Sequence, residues 1–201
     1  MQKIPKRKVC VYCGSSVGAN QNYQAGAEVF AKALAQANIG LVYGGGDVGL
    51  MGVMARHVLE YSGHVTGIIP EFLCRKEILK ADVQELIITC DMHERKKLMF
   101  EKADGFVALP GGIGTLEELV EQLTWAQLGQ HTKPVCLANF DGFWTPFLDL
   151  IDHMRAQNFI RSGLDFKVHV IDKAEDIVPT IEELMDAALP YKLDKLAFDK
   201  L

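Results

Sequence analysis

The chain has 201 residues, of which 49% are hydrophobic and 23% charged, and its formal net charge is -5. This length suits one domain with a sizeable core, and the composition excludes a disordered chain and a disulfide-stapled miniprotein. No apolar run approaches the roughly 18 residues that a membrane span requires, so we expect no membrane association. The acidic balance argues against a nucleic-acid partner, although a local basic cluster can still bind one phosphate group.

The first residues and the cysteines bear on the cellular compartment. The opening MQKIPKRKVC is basic and lacks the apolar stretch and cleavage site of a secretory signal, so we expect a cytoplasmic protein. Five cysteines are an odd number, which favours reduced thiols. Cys10 and Cys13 form a C-x-x-C pair, but no second pair accompanies them and no helix opens at Cys10, which disfavours a redox or zinc site. The six histidines show no H-x-x-x-H spacing, and we expect no metal and no cofactor.

Seven short, nearly continuous apolar runs alternate with segments of helical period. The predicted strands are Lys8 to Tyr12, Gly40 to Tyr43, His64 to Ile69, Leu86 to Thr89, Phe106 to Leu109, Val135 to Ala138 and Val168 to Ile171. The predicted helices are Tyr23 to Ala37, Leu50 to Ser62, Met92 to Ala103, Leu116 to Leu128, Phe143 to Gln157 and Ala174 to Leu189. Such runs are typical of parallel strands that are covered on both faces.

This alternation predicts an α/β fold: a Rossmann-like, doubly wound, mostly parallel sheet of about seven strands with helices on both faces. No repeat, linker or low-complexity tract divides the chain, so we expect a single nucleotide-binding domain over residues 1–201, with a core at about 8–189 and a tail at 190–201. The stretch from Pro70 to Glu85 has mixed charge and no clear period, and it is the longest candidate loop or lid.

Three of the predicted strand ends carry glycine-rich turns. The turns are Cys13-Gly-Ser-Ser-Val-Gly18, Gly44-Gly-Gly-Asp-Val-Gly-Leu-Met-Gly52 and Pro110-Gly-Gly-Ile-Gly-Thr115. Ligands of open α/β sheets bind outside the carboxyl ends of the strands, and glycines let backbone amides approach an anion closely. Each turn alone could serve only to tighten a strand-to-helix connection, but three together predict an anion site of nucleotide size. The candidate substrate-binding residues in the first two turns are Ser15, Ser16, Gly45 and Gly46.

The second turn also supports a different hypothesis. Gly44-x-Gly46-x-x-Gly49 matches the dinucleotide fingerprint, and Glu71 lies about where a ribose-binding acid is expected. The turn follows the second predicted strand, whereas the fingerprint normally follows the first strand of its βαβ unit. An NAD-dependent oxidoreductase therefore stays open as an alternative.

Two predicted helices carry charged side chains at positions other than the face opposite the apolar stripe. Asp91 is a suitable N-cap for a helix that starts at Met92, and Arg95 and Lys96 then flank its apolar stripe. A buried or half-buried Arg95 requires a partner, whereas an exposed one would extend from the first turn toward water.

The following helix combines a capping signal with a second charged candidate. Thr115-x-x-Glu118 has the spacing of a capping box, which predicts Thr115 as N-cap. The predicted core stripe of this helix is Leu116, Leu119, Val120 and Leu123. Glu118, Gln122 and Trp125 are then expected on another side, with Glu118 at the rim of the phosphate loop and Trp125 against a partner or a ligand.

Read together, Pro110-Gly-Gly-Ile-Gly-Thr-Leu-Glu-Glu118 and Met92-His-Glu-Arg-Lys96 resemble the PGGxGTxxE and MxxRK signatures of the LOG ("Lonely Guy") family. The resemblance runs from Lys8 to about Leu189 and includes the CGSS and YGGG turns and the TWAQLG segment. It implies a Rossmann-like, usually dimeric hydrolase that cleaves the N-glycosidic bond of an N6-modified or plain adenosine 5'-monophosphate. The products are the free base (a cytokinin or adenine) and ribose 5-phosphate.

The resemblance also implies roles for individual residues. Arg95 and Glu118 form the expected catalytic pair. The expected phosphate-binding residues are Gly111, Gly112, Gly114 and Thr115, and further substrate contacts are expected from Glu77, Lys96 and Thr124. The implied partners are a small-molecule nucleotide and a second copy of the chain, with a homodimer or a higher homo-oligomer as the assembly.

A carboxylate beside the sugar can stabilise an oxocarbenium-like transition state and position water, which is the role expected of Glu118. Arg95 would bind the base or the phosphate as a permanent cation. The main alternative is a non-hydrolytic binder of a nucleotide or of the molybdenum cofactor. Proteins of this family have also been labelled as lysine decarboxylases. A lysine decarboxylase would need a lysine that binds pyridoxal phosphate, and the sequence identifies none.

Overall fold

A computed structural model describes residues 4–74, 82–160 and 166–188. The strands are β1 Arg7–Tyr12, β2 Ile39–Tyr43, β3 Val65–Pro70, β4 Glu85–Thr89, β5 Gly105–Ala108, β6 Val135–Ala138 and β7 His169–Ile171. The helices are α1 Gln21–Gln36, α2 Gly49–Glu60, α3 Met92–Lys102, α4 Ile113–Gln127, α5 Thr145–Ala156 and α6 Ile177–Ala187. Short 3₁₀ turns occupy Glu71–Leu73, Phe140–Gly142 and Ala174–Asp176.

The strands form one seven-stranded sheet in the order β4-β3-β2-β1-β5-β6-β7, and each pairing within the described residues is parallel. The predicted α/β class and strand number are confirmed. The predicted loop from Pro70 to Glu85 begins with the first 3₁₀ turn, whereas residues 75–81 and the predicted tail at 190–201 lie outside the described ranges.

Alternation along the strands produces two cores. Val9 and Val11 of β1 pack on the side that α1, α2 and α6 cover. Cys10 and Tyr12 point to the opposite side, which α3, α4 and α5 cover. Because both faces of the sheet are buried, the strands lack the polar-apolar alternation of a sheet with one solvated face.

The order of the strands fixes where a ligand can bind. The chain adds β2, β3 and β4 on one side of β1 and then returns to place β5 on the other side. Tyr12, the last residue of β1, is in register with Ala108, the last residue of β5. In doubly wound sheets the crevice at such a switch point is the usual ligand site.

Candidate active site

The three glycine-rich turns meet at this switch point. The amide of Gly14 donates to the carbonyl of Pro110 at 3.1 Å, and the carbonyl of Gly14 accepts from the amide of Leu50 at 3.0 Å. A Cβ on Gly14 would lie 3.3 Å from the Cα of Gly111. The first turn is therefore hydrogen-bonded to both of the others, and the predicted convergence of the turns is confirmed.

Beside the joined turns lies a cleft of about 320 Å³. Ligand pockets in proteins begin at about this volume. The lining residues are Val11, Cys13, Gly14, Ser15, Gly44, Met51, Leu73, Met92, Arg95, Gly112, Ile113, Gly114, Thr115, Glu117 and Glu118. The cleft thus combines backbone turns, one cation, two carboxylates and an apolar wall.

Helix α4 starts earlier than the sequence predicts, and the prediction of a capping box with Thr115 as N-cap is wrong. The helix begins at Ile113 with Gly112 as N-cap, and no side chain caps this end. Thr115 is the third helical residue, and its side chain packs on Gly111, where a Cβ would lie 2.2 Å from the Thr115 Oγ1. Contact with Gly111 therefore holds Thr115 inside the helix, although the local Thr-x-x-Glu pattern favours a cap there.

The uncapped end of α4 leaves backbone amides available to a ligand. The first amides of a helix have no acceptor within it, and together with the helix dipole they attract anions. A Cβ on Gly112 or on Gly114 would meet no atom within 4 Å, so both glycines border open space. An anion can approach this backbone without displacing a side chain.

Arg95 and Glu118 face each other in the cleft. Arg95 is 6% exposed and Glu118 is 9% exposed, and the Arg95 Nη2 lies 3.5 Å from the Glu118 Oε1. The Arg95 Nε is buried without a hydrogen-bond partner among the described residues. The expectation that a buried Arg95 has a partner is confirmed, the partner is a carboxylate, and this guanidinium still has a donor to offer.

The buried face of α4 contains Leu119 and Leu123, as predicted, but is otherwise shifted from the predicted stripe. Glu118 and Gln122 lie inside, with Gln122 only 1% exposed, whereas Val120 is 42% exposed. The ring of Trp125 packs edge-on against Phe100 of α3, with ring centroids 5.1 Å apart. Leu119 and Leu123 pack in the core on this side of the sheet, and Glu118 then lies in the wall of the cleft.

Not every residue expected to contact the substrate lines this cleft. Ser15, Gly112, Gly114 and Thr115 do so together with Arg95 and Glu118. A neighbouring recess of about 210 Å³ has Ser16 and Gly111 in its wall. Glu77 lies outside the described residues.

The other residues that were expected to bind the substrate do not line the cleft and make different contacts. Gly45, with a φ of +81°, packs against Ile69, and its neighbour Gly46 is buried. The Thr124 hydroxyl donates to the carbonyl of Val120 at 2.8 Å, on the side of α4 away from the cleft. The Lys96 Nζ is bound by Glu117 at 2.7 Å and by Glu121 at 2.9 Å.

Sequence reasoning missed Gly44 and the apolar wall of the cleft. The wall consists of Met51, Leu73, Met92 and Ile113. Ile113 is 82% exposed and lies in the wall of the cleft at the first residue of α4. Its position between two glycines of the third turn is the one sequence signal that could have identified it.

The thiol of Cys10 and the phenol of Tyr12, both near the cleft, stay protonated. Burial, followed by the nearby charge of Glu118, raises the pKa of Cys10 far above its usual value. Burial and Cys10 raise the pKa of Tyr12 as well. Cys10 and Cys13 are both buried. Reactive cysteines have lowered pKa values, so Cys10 lacks the character of a redox thiol.

The second turn does not present a dinucleotide site. A Cβ on Gly49 would lie 2.2 Å from the carbonyl carbon of Ser15 and 2.3 Å from the Ser16 amide nitrogen. The first turn thus covers the start of α2, where the pyrophosphate of a dinucleotide would bind. Gly44, the first glycine of the fingerprint, instead contacts the guanidinium of Arg95.

Three further observations concern the described residues outside the cleft. A larger and more open depression of about 680 Å³ lies at the amino ends of β1 and β2, away from the glycine turns. Within residues 4–74, 82–160 and 166–188, no three His, Cys, Asp or Glu side chains are grouped to hold a metal ion. None of the helices in these ranges is long and apolar enough to cross a membrane.

Fold and cleft together define a Rossmann-like α/β protein with a buried ion pair at the switch point of its sheet. Residues 51–181 match the family model described as "Possible lysine decarboxylase". Cytokinin riboside 5'-monophosphate phosphoribohydrolase LOG of Oryza sativa subsp. japonica is 46% identical over 177 residues, which are 88% of this chain and 73% of that protein. LOG3 of Arabidopsis thaliana, which is named for the same activity, is 44% identical over 183 residues, which are 91% of this chain and 85% of that protein.

These similarities place the chain in the LOG family. Among solved structures, the Moco carrier protein from Chlamydomonas reinhardtii has a TM-score of 0.67. It is 20% identical, and the match covers 90% of this chain and 99% of that chain. At this identity the likeness shows the fold alone.

Proposed function

We propose that the protein hydrolyses the N-glycosidic bond of adenosine 5'-monophosphate or its N6-modified forms, releasing the base and ribose 5-phosphate. The observation that carries the proposal is the buried Arg95–Glu118 pair, 3.5 Å apart, beside the uncapped start of α4. One cleft thereby offers both an anion site and a carboxylate. The proposal agrees with the activity named for the rice and Arabidopsis relatives.

The phosphate binds at the start of α4. Backbone amides of the turn from Gly112 to Thr115 donate to its oxygens, and the helix dipole adds to the attraction. Arg95 supplies a permanent positive charge with forked donors, and its Nε has a hydrogen to give. Local donors of this kind allow a chain of net charge -5 to bind an anion without a broad basic surface.

Glu118 acts on the sugar. As the bond from C1' to the base nitrogen breaks, its electron pair goes to the base, and positive charge develops on the ribose. A carboxylate beside that charge stabilises it, and the carboxylate also orients the attacking water. The water oxygen bonds to C1', and one water proton is transferred to the departing base. The reaction consumes one water and needs no other reactant.

A carrier that binds a nucleotide or cofactor without cleaving it is the competing function, because the structural neighbour is named a Moco carrier protein. The two functions differ in what they require of Glu118. A hydrolase needs its negative charge during bond cleavage, whereas a carrier needs only the shape and donors of the cleft.

The substitution Glu118→Gln separates these functions. We expect base release from AMP to fall by at least about 100-fold, because the developing charge loses its carboxylate, while the Kd for AMP changes less than about fivefold. Glu101→Gln, which alters a half-exposed carboxylate on α3, is the matched control and should retain activity. Turnover by Glu118→Gln at the wild-type rate would overturn the hydrolase assignment.

The family description raises the possibility of pyridoxal chemistry, and the cleft does not fit it. A pyridoxal enzyme attaches its cofactor to a lysine, and none of the described residues that line the cleft is a lysine. Lys96, the nearest candidate by sequence, has its ammonium group bound by two carboxylates. Pyridoxal chemistry therefore plays no part in the proposed reaction.

The protein acts as a homodimer in this proposal. A groove of about 260 Å³ between α4 and α5 is apolar, and it is bordered by exposed Leu150, Met154 and Phe159. Exposed apolar patches mark interfaces, and a two-fold axis lets one such patch cover its own copy. Thr124 lines the same groove, so the second copy would lie on the helix that carries Glu118. Five cysteines, an odd number, suit a reducing compartment such as the cytoplasm.

A further inference from the structure

Met92 contacts the cleft arginine through its sulfur. The Arg95 Nη1 donates to the Met92 Sδ at 3.7 Å, and the two residues are three positions apart at the start of α3, where their side chains share a face. The Met51 Sδ lies close by, because a Cβ on Gly44 would meet both this sulfur and the Arg95 Nη2. Thioether sulfurs are weak hydrogen-bond acceptors, so the guanidinium is only weakly bound on this side.

The weak contact leaves Arg95 able to bind a stronger acceptor. Its Nε has no hydrogen-bond partner among the described residues, and its Nη2 lies 3.5 Å from the Glu118 Oε1. Arg95 is also buried, so water satisfies few of its donors. An oxygen atom that reaches this guanidinium therefore gains a hydrogen bond assisted by charge. In the proposed reaction that oxygen belongs to the substrate.

The sulfur of Met92 is within reach of small molecules. Met92 is half-buried, and it lines the cleft of about 320 Å³. By contrast, Met54 and Met99 are only 0% and 1% exposed. A molecule as small as hydrogen peroxide that enters the cleft can therefore contact the Met92 sulfur, whereas the sulfurs of Met54 and Met99 are shielded by the core.

Oxidation converts this sulfur from a weak acceptor into a polar group with a strong one. The thioether attacks one oxygen of the peroxide, the O–O bond breaks, and a new S–O bond forms as the sulfur loses two electrons. The departing hydroxide takes the proton of the transferred hydroxyl and leaves as water. The sulfoxide oxygen can then point at the Arg95 Nη1, which already donates to the unmodified sulfur.

We propose that Met92 is an oxidation site, where the sulfoxide oxygen binds Arg95 and competes for it with the oxygens of the substrate. The inference rests on the proposed function for its effect on turnover, whereas its effect on nucleotide binding does not require cleavage. Reduction of the sulfoxide restores the thioether, so the inhibition is reversible.

Treatment with hydrogen peroxide tests the site. The wild type is given a dose that adds one oxygen to Met92, as measured by peptide mass spectrometry. Dithiothreitol then reduces oxidised thiols and leaves sulfoxides intact. We expect kcat/KM for AMP to fall by at least about 10-fold and the Kd for AMP to rise by a similar factor, because hydrogen bonds to charged groups are the strong ones. Methionine sulfoxide reductases of both epimer specificities should restore both values.

Two variants serve as controls for the treatment. Met92→Leu removes the sulfur with little change in volume, and after peroxide it should keep its own untreated rate within about twofold. Met154→Leu removes a methionine on α5 that is 39% exposed, and this variant should lose activity as the wild type does. In the same digests, Met54 and Met99 should stay unoxidised.

Met92→Gln imitates the sulfoxide without an oxidant, because it places a carbonyl oxygen near the same position. Compared with Met92→Leu, we expect Met92→Gln to have at least about a fivefold lower kcat/KM and a higher Kd for AMP. If the oxygen acts through Arg95, this difference in Kd should disappear when both substitutions are made in the Arg95→Ala background.

Several results would overturn the proposal. They are an equal peroxide loss in Met92→Leu and the wild type, oxidation of Met54 or Met99 before Met92, and equal values of Kd for Met92→Gln and Met92→Leu. If the untreated wild type binds AMP but does not cleave it, the proposed function fails and the Kd decides the inference. Weaker binding after oxidation of Met92 then supports it, and unchanged binding contradicts it. A wild type that does not bind AMP contradicts both.

Discussion

The guanidinium of Arg95 lies directly over Gly44. A Cβ on Gly44 would be 2.3 Å from the Arg95 Nη2 and 3.1 Å from the Met51 Sδ. Real Cβ atoms do not approach other atoms so closely, so any residue other than glycine would displace the arginine. Gly44 at the end of β2 therefore determines where the cation on α3 can lie.

This contact predicts a selective effect of Gly44→Ala. The added methyl group meets the end of a flexible side chain, so the fold should persist with a loss of stability of less than about 1.5 kcal/mol. Arg95 must move, and we expect kcat/KM for AMP to fall by about 100-fold.

The control for Gly44→Ala is a cycle with Arg95→Ala. Because both substitutions act through the same guanidinium, the double variant should be no less active than Arg95→Ala alone. Independent, multiplying losses would show that Gly44 acts by some other route.

Gly49 should be far less tolerant of a side chain than Gly129. Both have positive φ angles, +54° and +71°, so both are strained by alanine. A Cβ on Gly49 would meet the backbone of Ser15 and Ser16 within 2.3 Å, whereas a Cβ on Gly129 meets nothing within 4 Å.

We expect Gly129→Ala to lower the unfolding free energy by about 1 kcal/mol, because a non-glycine residue is disfavoured in the left-handed conformation. Gly49→Ala should lower it by more than about 2 kcal/mol, because backbone must separate from backbone. Chemical denaturation measures both values. Similar losses would argue against close packing of the first two turns.

His131 makes the stability of the fold depend on pH. Its Nε2 donates to the carbonyl of Gln122 at 3.0 Å, and its Nδ1 accepts from the Lys133 amide at 3.1 Å, which requires the neutral ring. Burial, assisted by the charge of Lys133, lowers the pKa of His131 below its ordinary 6.5. The unfolded chain therefore binds a proton more readily than the folded one.

The stabilisation from neutral His131 is complete above pH 6.5 and is lost as the pH falls through the lower folded pKa. We expect His131→Gln to reduce the loss in unfolding free energy between pH 7.5 and pH 5.5. The exposed His93→Gln is the control and should leave that loss unchanged. An unaltered pH dependence in His131→Gln would contradict the assignment.

The apolar groove between α4 and α5 should mediate self-association. Leu150 borders the groove and is 47% exposed, and Val29 on α1 is 46% exposed on the other side of the sheet. Leu150→Asp should shift the protein toward monomers in analytical ultracentrifugation, whereas Val29→Asp should not. A wild-type monomer at micromolar concentrations, or equal effects of both substitutions, would refute the interface.

Much of the fold follows from patterns that are local in sequence. Continuous apolar runs predict the strands to within about two residues, because a sheet buried on both faces requires apolar residues at successive positions. Asp91 predicts the start of α3 correctly, since its side chain accepts from the amide of Glu94 as an N-cap should. The three glycine turns meet as predicted because the carboxyl ends of parallel strands share one edge of the sheet.

The errors arise where contacts distant in sequence override local preference. Thr115 has the pattern of an N-cap, but its packing on Gly111 draws it into α4. Gln122 is expected on a side of α4 other than the core stripe but is buried, because the rotation of α4 that buries Glu118 buries Gln122 as well. Gly44 gives no sequence signal for its contact with Arg95, since 51 positions separate them.

The requirement for the 5'-phosphate tests the central claim most directly. Base release from AMP, from N6-prenylated AMP and from adenosine is measured by chromatography at matched concentrations. In the proposed reaction the phosphate binds to the amides of α4 and to Arg95, so at least one monophosphate should be cleaved with a kcat/KM at least about 100 times that of adenosine. Equal cleavage of adenosine and AMP, or cleavage of neither monophosphate, would contradict the account.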